Sequence, residues 1–163
     1  MELTDPLDIY AYRLGALWGR LMSLETLLRL AISGGKFALP LDAVVGDEAD
    51  VEAVNRWGYL SELVHQYNTI AASQRPEHML ASGDGIVALR NALAHGIAVS
   101  KSPAPPLRLL KFGKLNATTG RVRVEFAADM TAEWLDQQQR IVQEAVQNVV
   151  SYIKAKGIGQ STA

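Results

Sequence analysis

The chain has 163 residues, of which 48 % are hydrophobic and 20 % charged, the profile of one globular domain rather than of a disordered segment. Its 16 Lys plus Arg stand against 17 Asp plus Glu, so a formal net charge of -1 excludes nucleic-acid binding by bulk positive charge and leaves only a local basic patch for it. There is no cysteine, which excludes disulfides, thiolate metal sites and cysteine nucleophiles.

The first six residues, Met1 to Pro6, lack the positive start and apolar run of a secretory signal. No stretch supplies the roughly 20 apolar residues that would span a bilayer. A cytoplasmic protein with no membrane partner is the expectation. Leu7, Tyr10, Leu14, Leu17, Leu21, Leu24, Leu28 and Ala31 then follow one another at three- and four-residue steps, the seam of a helix over about 6–32. Asp5 is its expected N-cap, Pro6 its first helical residue, and Gly34-Gly35 its stop.

A second helix is expected between 51 and 73, on the stripe Val51, Val54, Trp57, Leu60, Val64, Tyr67 and Ile70 or Ala71, with Gly58 weakening its first half. Arg75-Pro76 closes it. Ser82 to Gly85 reads as a turn with Asp84 as N-cap. Behind it comes a short alanine-rich helix, about 85–95, with Ile86, Leu89 and Leu93 on one face and Gly96 as a left-handed cap. Ser102 to Pro106 is an extended connector. The period then changes to two: Arg121 to Phe126 alternates, Leu107 to Phe112 is its partner strand, and Asn116 to Gly120 is the turn. The last helix starts at Thr131 and turns Leu135, Ile141, Val142, Ala145, Val149, Val150 and Ile153 inward, with Lys154, Lys156 and Gly157 finishing it. The expected fold is a single mainly α domain over 1–163, a bundle of about four helices with one β-hairpin inserted at about 107–127 and a frayed tail from about 158.

One segment joins a permanent cation, a titratable base and a rigid support: Arg90-Asn91-Ala92-Leu93-Ala94-His95. Asn91 and His95, four apart, share a helix face, and Arg90 lies about 140° from His95. The two side chains diverge at their roots, yet a long Arg on a short helix can still bring its guanidinium toward the same cleft, or toward one completed by another subunit. Imidazole is the side chain suited to both taking and giving a proton near neutrality. A guanidinium is a planar fork suited to phosphate. A base and a phosphate clamp without metal ligands are what internal RNA cleavage requires. The chain supplies one such histidine, and two facing chains would supply the pair that proton transfer to the leaving oxygen needs.

Arg90-Asn91-Ala92-Leu93-Ala94-His95-Gly96 resembles the Arg-x(4–6)-His signature of HEPN domains, including its frequent Arg-Asn start and Ala-His-Gly finish. The resemblance covers seven residues. It implies a helical bundle, typically dimeric, with Arg90 and His95 catalytic and Asn91 positioning. It also implies a metal-independent endoribonuclease of a toxin–antitoxin or defence system, acting on RNA, with a possible antitoxin partner and neither cofactor nor metal. Many HEPN domains are instead non-catalytic modules for dimerisation or for binding nucleotide or protein. HEPN toxins paired with nucleotidyltransferase antitoxins tend to carry a tyrosine two residues after the histidine. Ile97 stands there, so tyrosine modification at that position is not expected.

Plainer readings compete with each feature. His95 is placed to bond the last helical carbonyls, and Arg90 to pair with Glu25 or Glu62. Glu62-Leu63-Val64-His65 has the Glu-x-x-His spacing of di-metal bundles but no second copy. The hairpin carries Arg108, Lys111, Lys114, Arg121 and Arg123 against Glu125, a phosphate-binding surface or simply a charged exposed face. Trp18, Trp57 and Trp134 lie on or beside apolar stripes and read as packing residues rather than base-stacking ones.

Overall fold

Helix α1 (Pro6–Ile32) begins and ends where its sequence punctuation puts it. The Asp5 carboxylate accepts the Leu7 amide at 2.7 Å, and Gly34 and Gly35 leave the helix with φ of 62° and 86°. The computed structural model describes residues 5–35, 44–48, 58–100 and 105–158. The remaining described elements are α2 (Leu60–Gln74), a 3-10 turn (Pro76–His78), α3 (Gly83–His95), β1 (Ile97–Val99), β2 (Leu107–Asn116), β3 (Arg121–Met130) and α4 (Ala132–Ala155). The protein is therefore mainly helical with a small antiparallel sheet. The expectations at 51–57, at 102–104 and over most of the tail lie outside the described residues.

Several expectations are corrected. The sheet has three strands, not two, in the order β1-β2-β3. The extra strand is Ile97–Val99, too short to register as an alternation, and it pairs Ile97 with Leu110 and Val99 with Arg108. Helix α3 starts at Gly83, which places Asp84 in its first turn, where a carboxylate meets the positive end of the helix dipole, rather than at the N-cap. Gly96 is absent from the glycines with positive φ, so it is not a left-handed cap. Its reason is close approach: a Cβ there would sit 2.3 Å from the Ala92 carbonyl oxygen and 2.8 Å from that of Leu110. On α3 the buried row is Ile86, Leu89 and Ala92, with Leu93 only partly covered.

The chain divides into two compact units. The first, Met1–Leu21 with Asp84–Gln143, holds the sheet and α3. Its buried apolar residues include Tyr10, Leu17 and Leu21 of α1, Leu109 and Met130 of the sheet, and Leu135 and Val142 of α4. Polar bonds fix the register of α1 on α4 within it. Arg13 pairs with Asp136 at 3.4 Å, Gln139 donates to the Arg13 carbonyl at 2.9 Å, and Arg20 donates to Gln143 at 3.1 Å and to Gln139.

The second unit, Met22–Gly83 with Glu144–Ala163, buries Leu24, Leu28, Leu63, Tyr67, Val149 and Tyr152. Asn148 clamps the turn after α2. Its amide nitrogen donates to the carbonyls of His78 and Met79 at 3.1 and 3.3 Å, and its oxygen lies 2.9 Å from His78 Nδ1. Tyr67 donates to the His78 carbonyl as well, at 3.1 Å, and meets Tyr152 edge-on. Burial, with Tyr152 beside it, raises the Tyr67 phenol far above its ordinary value, so it stays a donor.

Candidate active site

Helix α3 carries the candidate residues, and its end is held by backbone rather than by side chains. The Gly96 amide donates to the Ala92 carbonyl at 2.7 Å, and β1 runs directly on into its pairing with β2. His95 is thus the last helical residue before a strand that is hydrogen-bonded to its neighbour. This gives its backbone little freedom, although the side chain itself is exposed. Among the described residues the imidazole has no hydrogen-bond partner, so it does not cap the last carbonyls of its helix.

Arg90 and His95 line one cleft, of about 720 Å³. Leu93 and Ala94 line the same cleft, as do Ala11, Leu14, Gly15 and Trp18 of α1. The volume falls in the range of small-molecule and nucleotide sites, roughly 300–1,000 Å³. Among the described residues, the ionisable groups in its lining are one guanidinium and one imidazole. Asn91, the third expected site residue, is half-buried and is not among the residues lining the cleft.

The α1 wall escaped sequence reasoning. The sequence pattern puts Leu14 on the seam of the helix and Trp18 in packing, yet Leu14 is partly covered and Trp18 is 37 % exposed. A signal was present. Gly15 and Gly19 lie in the middle of a 27-residue helix, where each glycine costs about 1 kcal/mol relative to alanine. A Cβ at either would meet nothing within 4 Å. Glycine is not required by packing at either position, and Gly15 lines the cleft.

The other candidate groups take structural roles. The Glu62 carboxylate accepts the Tyr59 amide at 3.2 Å and so caps α2, while Glu25, 5 % exposed, pairs with Arg29 at 3.7 Å. Among the described residues no three histidine, aspartate or glutamate side chains converge as metal ligands would. On the hairpin, Arg108 pairs with Asp129 at 2.7 Å and Lys111 with Glu125, which reduces the cationic surplus expected there. A second cavity of about 260 Å³ is lined by Tyr10, Arg13, Pro106 and Met130 among others. Burial raises the Tyr10 phenol above its ordinary value, so that group stays protonated and is no general base. No helix among the described residues is long and apolar enough to cross a membrane. No family model matches the chain, and no curated protein or solved structure matches it closely enough to carry an argument.

Proposed function

We propose that the protein is a metal-independent endoribonuclease of the HEPN type, acting as a homodimer. The observation that supports this reading is that Arg90 and His95 line one open cleft, with no hydrogen-bond partner to the imidazole among the described residues. His95 removes the proton from a ribose 2′-hydroxyl, and the 2′-oxygen attacks the adjacent phosphorus. The bond from phosphorus to the 5′-oxygen breaks, and that oxygen takes a proton from a second imidazole, the His95 of the other copy. The products are a 2′,3′-cyclic phosphate and a free 5′-hydroxyl. Arg90 binds the phosphoryl oxygens and stabilises the charge that grows on them. Leu7 and Tyr12 of α1, 54 % and 68 % exposed, offer apolar surface for the second copy. A toxin controlled by an antitoxin protein is the setting this activity fits.

A second reading is favoured by the largely apolar lining of the cleft and by the absence of Asn91 from it. In it the same surface is a non-catalytic module that binds nucleotide or a partner protein. The experiment that separates the two is incubation of RNA with purified protein in EDTA, followed by analysis of the new ends. Cyclic phosphate ends support the nuclease. Intact RNA across varied substrates, with a nucleotide or protein still bound, supports the module.

A further inference from the structure

Trp18 lines the cleft from α1 and, among the described residues, is the one Trp, Tyr or Phe that does so. Its indole is neither buried as a core residue would be nor held in any aromatic pair among the described residues. Helical side chains lean toward the N-terminus and lie over the preceding turn, and for Trp18 that turn contains Gly15 and Leu14. Gly15 places no side chain there, and a Cβ added to it would have empty space around it. The result is a flat π-surface with free volume beside it, in the same cleft as a guanidinium and an imidazole. Leu14 and Leu93 add apolar surface to the same cleft.

A nucleic-acid base has a flat apolar face, and its phosphate is the anion that a guanidinium fork recognises. A base can lie on Trp18 only if it has left the stack of a duplex, because in a helix both of its faces are covered by neighbours. We infer that Trp18, with the side-chain-free wall at Gly15, is a stacking platform for one unpaired base, so that the substrate class of this site is single-stranded RNA. The inference rests on the ribonuclease reading for the identity of the substrate, but the platform itself is a binding claim and is testable without turnover.

The test uses the full chain and a fluorescent 2′-O-methyl oligonucleotide, which has no free 2′-hydroxyl and is not cleaved, offered as a single strand or as a blunt duplex. Binding is read by anisotropy for wild type, Trp18→Ala, Trp18→Phe and Gly15→Leu. Circular dichroism and sedimentation check fold and oligomeric state. The expected result is tighter binding of the single strand than of the duplex. Trp18→Ala should weaken it by roughly 5- to 150-fold, the usual worth of one stacked base, and Trp18→Phe by less. Gly15→Leu should weaken binding by filling the cleft while leaving the indole in place. The inference is overturned if wild type binds neither oligonucleotide or binds both equally, or if Trp18→Ala and Gly15→Leu bind as wild type does. It is also overturned if both substitutions act only by changing the oligomeric state, which would make this face a subunit interface. Binding that depends on Trp18 without any RNA cleavage in EDTA would sink the nuclease and keep the platform. Cleavage with unchanged KM in Trp18→Ala would do the reverse.

Discussion

Gly96 shows how much of the site depends on one absent methyl group. The carbonyl oxygens of Ala92 and Leu110 would both clash with a Cβ at that position, and both belong to backbone that is already hydrogen-bonded. Gly96→Ala must therefore move either the end of α3 or β2. It should destabilise the protein by about 1–3 kcal/mol, as overpacking does, and lower any activity of the adjacent His95 more than the loss of folded protein explains. Urea denaturation beside cleavage rates checks this. Gly15 is the opposite case. Nothing stands within 4 Å of a Cβ there, so Gly15→Ala should raise stability by up to about 1 kcal/mol in the same assay. Both glycines are plain in the sequence, but the reasons for them are not. A cap, a close approach and an open cleft wall all produce the same letter, and only the neighbouring atoms tell them apart.

Helices α1, α3 and α4 were legible to within a residue or two because each has local chemistry at its ends, whereas α2, expected between 51 and 73, starts only at Leu60, behind Gly58 with its φ of 61°. Helix α4 is the clearest example: the Thr131 hydroxyl accepts the Trp134 amide at 3.1 Å, and Gly157 ends the run with φ of 65°. Thr131→Ala should cost about 1 kcal/mol of stability in thermal or urea unfolding. Glu133, one residue inside the helix, accepts its own backbone amide and the Thr131 hydroxyl, with Arg13 nearby. Together these hold its carboxyl below the ordinary value of 4.5. A depressed folded value means that this contribution is complete above the ordinary value and is lost as pH falls through the lowered one. Glu133→Gln should accordingly flatten the fall in Tm below about pH 4.5 and change little at neutrality, a difference that a pH series of melting curves would detect. The sheet was harder to read. Strand β1 has three residues, fewer than an alternation needs, and its existence depends on β2, which follows it by only a few residues but pairs with it through space. The hairpin itself was legible, yet its pairing of Arg108 with Asp129 depends on a register that the charge pattern alone does not give.

At the scale of the whole molecule, the candidate chemistry and the Asn148 clamp belong to different compact units. Arg90, His95 and Trp18 lie in the first, and the Asn148 clamp lies in the second. Asn148→Ala takes one donor from the His78 carbonyl, which keeps Tyr67, and the Asn148 donor from the Met79 carbonyl, and should lower stability by about 1–3 kcal/mol. Its cleavage rate per folded molecule should match wild type, a comparison made at a temperature where both are folded. The same site was half legible in the sequence. The α3 side was visible because a cation and a base within six residues carry chemical meaning on their own. The α1 side was not, because Ala11, Leu14, Gly15 and Trp18 acquire a role only when another helix faces them. The central claim is that Arg90 and His95 act together on RNA without metal. It is tested most directly by cleavage rates in EDTA for wild type, Arg90→Ala and His95→Ala, each verified as folded and in the same oligomeric state. The expected result is cleavage by wild type and a loss of roughly 10²–10⁴-fold in His95→Ala, the usual contribution of a general acid–base group, with a comparable loss in Arg90→Ala. Equal rates in all three proteins, or no cleavage by any of them, would contradict it.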